Sequence, residues 1–135
     1  MAMKRLLMGA EVEYSMAASV PQGAIRRGEF HETLLRAIRE THAWLPDMRT
    51  PSGIYIDNGS RYYLDAGYHN EFSTPEVATP REIAVYDRAN EQILLRAKAA
   101  IKERSGEFDI CLPKNNVNFS APSRAAWGQH EAYMC

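Results

Sequence analysis

Thr79-Pro-Arg-Glu82 opens the segment that most limits what this chain can fold into. Thr79 is a good N-cap, Pro80 suits a first-turn position where an N–H is not needed, and Glu82 completes a capping box. Ile83, Tyr86, Ile93, Leu94, Ala97 and Ile101 then recur as an apolar stripe. Ser105-Gly106 supplies a stop, so the spacing predicts a helix over 79–104. Such a stripe has to be buried against another layer of structure.

Strand patterns supply that layer. From Lys4 to Ser15 the residues alternate: Leu6, Met8, Ala10, Val12 and Tyr14 on one face, Arg5, Leu7, Gly9, Glu11 and Glu13 on the other. This is a half-buried strand with an acidic open face. Ala17 to Gly28 reads as a loop, because it contains Pro21, Gly23 and Gly28. A second helix is expected from Glu29 to Trp44, with Phe30, Leu34, Ile38 and Leu45 inward. Ile54–Ile56 and Ser60–Ala66 read as strands joined at the hairpin signal Asp57-Asn-Gly59. Residues 108–112 and 127–135 read as two more strands, separated by a polar loop over 118–126.

The order is strand, helix, two strands, helix, two strands. Without glycine-rich strand-to-helix turns, a dinucleotide or P-loop fold has no support. The pattern fits an α+β domain: an antiparallel sheet with helices packed on one face and a polar opposite face left for chemistry.

The candidate chemistry clusters in Asn58–Glu76. Arg61, Tyr63, Asp65, His69 and Glu71 share parity, so a regular strand would place a cation, two carboxylates and an imidazole on one surface. A divalent metal with a phosphate would suit such a surface. Glu11 and Glu13, on one face of the first strand, offer the oxygen ligands that magnesium prefers. Arg61 can orient a phosphate or carboxylate in a two-pronged pair, or simply neutralise Asp65 or Glu71. Lys114-Asn-Asn116 offers a cation and amides that can meet a phosphate or a metal. His130 and Glu131 are adjacent in a strand, so only one of them can face the same pocket.

Taken together, Met8-Gly-Ala-Glu-Val-Glu-Tyr14, Asn58-Gly-Ser-Arg-Tyr-Tyr-Leu-Asp65, His69-Asn-Glu-Phe-Ser-Thr-Pro-Glu-Val77, Asp87-Arg-Ala-Asn-Glu91, Lys114-Asn-Asn116 and Gly128-Gln-His-Glu-Ala-Tyr133 resemble the N-terminal part of the Pup ligase and Pup deamidase/depupylase family. The resemblance implies a glutamine-synthetase-like carboxylate–amine ligase fold, of which residues 1–135 would be the N-terminal portion of the catalytic domain. It implies ATP and Mg2+ as cofactors, and Pup and pupylated proteins as partners in a bacterial proteasome pathway. By motif, Asp65 matches the family's catalytic aspartate, Glu11 and Glu13 match the acidic strand that holds magnesium, and Glu71 matches a metal- or nucleotide-proximal glutamate, taken as a third metal ligand. Arg61, Asn116 and His130 are the expected nucleotide-side residues. Asn70 stands where the family usually has proline. Ser73-Thr-Pro-Glu-Val77 with Asp87-Arg-Ala resembles the deamidase/depupylase branch, although the connection from Trp44 to Ile54 is shorter than that branch's loop. The expected activity is ATP- and magnesium-dependent deamidation or depupylation. The alternatives are a Pup–protein ligase on the same fold, and an inactive fragment or nucleotide-binding module.

Bulk properties exclude other classes. A formal net charge of -1 with dispersed Lys and Arg argues against a nucleic-acid partner. No apolar run is long enough to span a membrane, and Glu11 and Glu13 interrupt the apolar start expected of a signal peptide. Two cysteines, Cys111 and Cys135, without metal-ligand spacing point to reduced thiols in the cytoplasm. The end of the chain at Cys135, without turn or cap, reads as a strand cut short.

Overall fold

The computed structural model describes residues 6–19, 27–105, 109–114 and 128–134. Two helices, α1 (Arg27–Thr41) and α2 (Pro80–Ser105), pack on one face of a six-stranded antiparallel sheet. Its strands are β1 (Leu7–Tyr14), β3 (Trp44–Pro46), β4 (Ile54–Ile56), β5 (Arg61–Leu64), β6 (Asn70–Ser73) and β8 (Gln129–Met134), ordered β3-β4-β5-β6-β1-β8. Two short strands, β2 (Ala17–Ser19) and β7 (Asp109–Cys111), form a separate antiparallel pair. The expected α+β layering, an antiparallel sheet with helices on one face, is therefore present.

Alternation decides which face is buried. Val12 and Tyr14 of β1, Ile54 of β4, Tyr62 of β5 and Phe72 of β6 point to the helices, where they meet Leu34 and Ile38 of α1 and Leu94 and Ala97 of α2. Each fully buried Leu, Ile or Phe contributes ~1.5–3 kcal/mol, so this layer supplies most of the driving force. The helix start forms as its sequence dictates: Thr79 N–H donates to Glu82 Oε2 at 2.9 Å, and Glu82 N–H reaches Thr79 Oγ1 at 3.3 Å. The turn at Asp57-Asn-Gly59 also forms, with Ser60 N–H donating to Asn58 Oδ1 at 2.9 Å and Gly59 N–H to the Ile56 carbonyl at 2.8 Å.

Three short strands depart from expectation. The segment read as a loop from Ala17 begins with β2, which pairs with β7. The α1 helix ends at Thr41 rather than Trp44, and Trp44–Pro46 pairs with β4 as the sheet edge. Its three residues are all exposed, so little burial marked it as a strand. Most consequential, Asn58–Glu76 is not one run. It folds back at Asp65–His69, and Asn70–Ser73 returns as β6 between β5 and β1. The expected loop over 118–126, and Trp127 and Cys135 of the expected last strand, lie outside the described residues. Among the described residues no helix is long and apolar enough to cross a membrane.

Candidate active site

The open face of the sheet gathers the predicted acids. Register places Glu11 opposite Ser73 on one side and His130 on the other, Glu13 opposite Glu71, and Tyr63 opposite Glu71. Residues opposite one another share a face, so side chains from β5, β6, β1 and β8 converge. Two groups result, each with ligand atoms within 4.8 Å of one another: Glu11, Glu71 and His130, and beside them Glu13, Asp65 and His69.

The first group is buried at its centre and open at its edge. Glu71 is 4% exposed, and the His130 side chain is 63% exposed. His130 Nδ1 lies 3.9 Å from Glu11 Oε2. Burial raises the Glu71 carboxyl to about 7 against an opposing hydrogen bond from Tyr63, and the charges of Glu11, Glu13 and Asp65 add to the rise. A carboxylate lifted by like charges in a buried position is what a divalent cation would relieve. Carboxylate oxygens that leave positions for water and phosphate fit magnesium, so the residues present suit that ion.

The second group is tied to the hairpin turn. His69 Nδ1 lies 3.0 Å from Glu13 Oε2 and 3.5 Å from Asp65 Oδ2, and the His69 N–H donates to Asp65 Oδ1 at 2.6 Å. The Gly128 N–H donates to Glu13 Oε2 at 2.6 Å. A Cβ at Gly128 would lie 2.7 Å from His130 Nε2 and 3.3 Å from Glu13 Oε1, so a side chain there would have to displace the exposed His130 ring.

Arg61 lies on the same face, but its partner is neither Asp65 nor Glu71. Its guanidinium binds Asp47, with Nε donating at 2.7 Å and Nη2 at 2.5 Å, and donates to Thr50 Oγ1 at 2.8 Å. It also stacks 3.8 Å over the Tyr63 ring. Asp47 is buried; burial alone would raise its carboxyl, but the Arg49 N–H and Arg61 hold it below the usual range. Arg61 is thus committed to the 47–53 connection and presents only its remaining surface to the groove. That groove, of about 700 Å3, runs from Glu11, Arg61 and Ser73 past Pro75 to Tyr133 and Met134.

Lys114 also departs from its expected place. Its amine sits 2.9 Å from both Asp87 oxygens and 2.7 Å from Glu91 Oε1, which ties the end of β7 to α2. Asn116 lies outside the described residues.

Sequence reasoning missed three contributors. Tyr63, given no role beyond its parity, is a strut: its hydroxyl reaches Glu71 and lies 3.4 Å from Glu11 Oε1. Burial, then the Glu71 hydrogen bond, push its phenol well above the ordinary value, so it stays a donor. Ser73 Oγ donates to Glu11 Oε1 at 3.2 Å, but its position depends on β6, which the sequence did not separate. Asp47, in a connection flanked by prolines, carried no signal.

A family model described as Pup-ligase protein matches residues 6–135. The chain belongs to the Pup-ligase protein family. It is 33% identical over 136 residues to the Pup–protein ligase of Geodermatophilus obscurus, covering 98% of this chain and 28% of that one. It is also 33% identical over 136 residues to the Pup–protein ligase of Sanguibacter keddieii, covering 96% and 28%. Among solved structures it resembles the ligase PafA, from the crystal structure of the complex between the prokaryotic ubiquitin-like protein Pup and its ligase PafA. The TM-score is 0.74 at 28% identity, covering 96% of this chain and 25% of that one. The chain therefore spans about a quarter of the length of the relatives it matches. These relatives bear the ligase name, which favours the ligase alternative over the expected deamidase/depupylase branch.

Proposed function

We propose that residues 1–135 supply the N-terminal part of the catalytic domain of an ATP-dependent carboxylate–amine ligase that joins Pup to protein lysines in the bacterial cytoplasm. The supporting observation is the convergence of Glu11, Glu71, Glu13 and Asp65 from separate elements on one open face, in a chain of this family. In the proposed reaction the terminal phosphoryl group of ATP passes to a glutamate carboxylate of Pup, and ADP leaves. The lysine amine then attacks the acyl carbon, phosphate departs, and an amide bond remains. Asp65 accepts the proton released by the attacking amine. Its position at the end of β5, beside the acidic strand, favours that role.

Magnesium would be held by Glu11 and Glu71, with His130 at the rim and Glu13 behind, and when bound it would offset charge on the phosphates. Tyr63 and Ser73 orient Glu11 by hydrogen bonds, and Tyr63 also steadies Glu71. Arg61, held by Asp47, would flank the phosphates rather than clamp them. Asn116 and His130 are proposed on the nucleotide side.

The Ser73-Thr-Pro-Glu-Val77 motif supports a second reading, deamidation of Pup or hydrolysis of its conjugates. The deciding experiment compares Asp65→Asn with the unaltered gene product that carries these residues. ADP release that requires a lysine acceptor, with conjugate formation reduced ~100-fold or more in D65N, is the expected result. Conjugate cleavage without net ATP consumption would favour the hydrolase, and ligation undiminished in D65N would remove Asp65 from the mechanism. Calorimetry with ATP and magnesium that gave no heat in any form would point to an inactive fragment.

A further inference from the structure

Resting on the reading of Asp65 as the base, we propose that His69 is the positioning residue for Asp65, its ring holding that carboxylate beside Glu13 across the gap between the hairpin turn and β1. The ring nitrogen Nδ1 lies 3.0 Å from Glu13 Oε2 and 3.5 Å from Asp65 Oδ2, both carboxylate oxygens. Both contacts are close charge contacts rather than aligned hydrogen bonds, and because carboxylates accept, they favour the ring form in which Nδ1 carries the hydrogen. The other Asp65 oxygen accepts from the His69 backbone N–H at 2.6 Å, and the Asp65 N–H donates to the His69 carbonyl at 3.0 Å. One residue thus addresses both oxygens of the proposed base.

The turn is shaped around this contact. Tyr68 adopts a left-handed backbone, φ 61°, a region that an aromatic residue seldom occupies. A Cβ at Gly67 would lie 3.0 Å from His69 Cε1 and 3.2 Å from Asp65 Oδ2, so the approach of ring to carboxylate depends on the missing side chain. The three side chains are only 11–19% exposed, where charge contacts are little screened. Closing the hairpin alone would need Asp65 Oδ1 and the backbone. The imidazole is an addition whose effect is to keep two carboxylates from turning away from each other.

The test is a double-mutant cycle in the gene product that carries these residues, read by kcat for ligation and KM for ATP. His69→Ala should lower kcat ~10–100-fold. KM for ATP should stay within about twofold, as expected for a residue acting through the base. His69→Asn, which keeps an N–H near the same place, should recover most of the loss. D65N/H69A should be no slower than D65N alone, because the ring acts through that carboxylate. Additive losses, no rescue by Asn, or a parallel rise in KM would overturn the proposal. If the unaltered protein does not ligate, the functional reading fails, and the contact is read instead by proton–nitrogen NMR. A His69 Nδ1–H resonance that D65N and E13Q each displace supports the positioning role; a ring protonated only at Nε2 sinks it.

Discussion

Glu71 is the group whose charge this site holds least easily, and replacing it by Gln tests the electrostatic account directly. Its carboxyl is raised from 4.5 to about 7, first by burial and then by Glu11, Glu13 and Asp65. Below about 4.5 it is protonated in folded and unfolded chains alike. Between there and about 7 the folded chain keeps a proton that the unfolded chain has released, so the metal-free protein loses stability as pH rises through that window. At ~1.4 kcal/mol per pH unit the displacement amounts to ~3 kcal/mol. Solvent and salt at the open edge reduce this to ~1–2 kcal/mol. In chelator, the unaltered protein should therefore lose roughly 4–8 °C more in Tm than E71Q between pH 5 and pH 8. Magnesium or manganese should reverse the trend, raising Tm at pH 8 but not at pH 5, and should do little to E71Q, which lacks the carboxylate. Scanning calorimetry at both pH values provides the check. Equal pH slopes for the two proteins in chelator would refute the burial and crowding of Glu71.

Arg61→Ala should cost ~3 kcal/mol in urea unfolding, because Asp47 is left buried with its main counter-charge gone. Lysine at this position should restore less than half, since a single ammonium cannot reproduce the fork to Asp47 and Thr50. Asn70→Pro should destabilise by ~2–4 kcal/mol. Asn70 Oδ1 accepts from buried His31 at 2.6 Å and from Tyr62, and both would lose their partner, as thermal unfolding would register. Gly128→Ala should leave Tm nearly unchanged, because the exposed His130 ring can swing aside, yet weaken manganese binding about tenfold by moving that ligand, as titration would show.

How much of the site was legible depended on how far each residue's role is local. Glu11 and Glu13 could be placed on the open face because strand alternation in Leu7–Tyr14 leaves no other choice once Val12 and Tyr14 are buried. The Thr79–Glu82 cap was legible for the same reason, every contact lying within one turn. Parity also predicted that only one of His130 and Glu131 could join the acids, and register gives that place to His130 opposite Glu11. Arg61 was legible as a face but not as a partner. The ion that claims it, Asp47, lies 14 residues away and reaches it through a connection with no periodic signal. The return of the chain at Asp65–His69 was hidden because its left-handed residue is Tyr68, which no turn propensity marks.

The sequence by itself determined the helices, the two-faced character of β1 and the set of acids offered to one side, because helical and strand periods are local consequences of covalent geometry. Only tertiary structure decided which acids meet. The return of β6 between β5 and β1 sets Glu71 against Glu13 and Tyr63, and brings His69 to Asp65 and Glu13. Strand order and register are fixed by burying Tyr62, Phe72 and Val12 against the helices, a sum over the whole core that no single stretch of sequence contains.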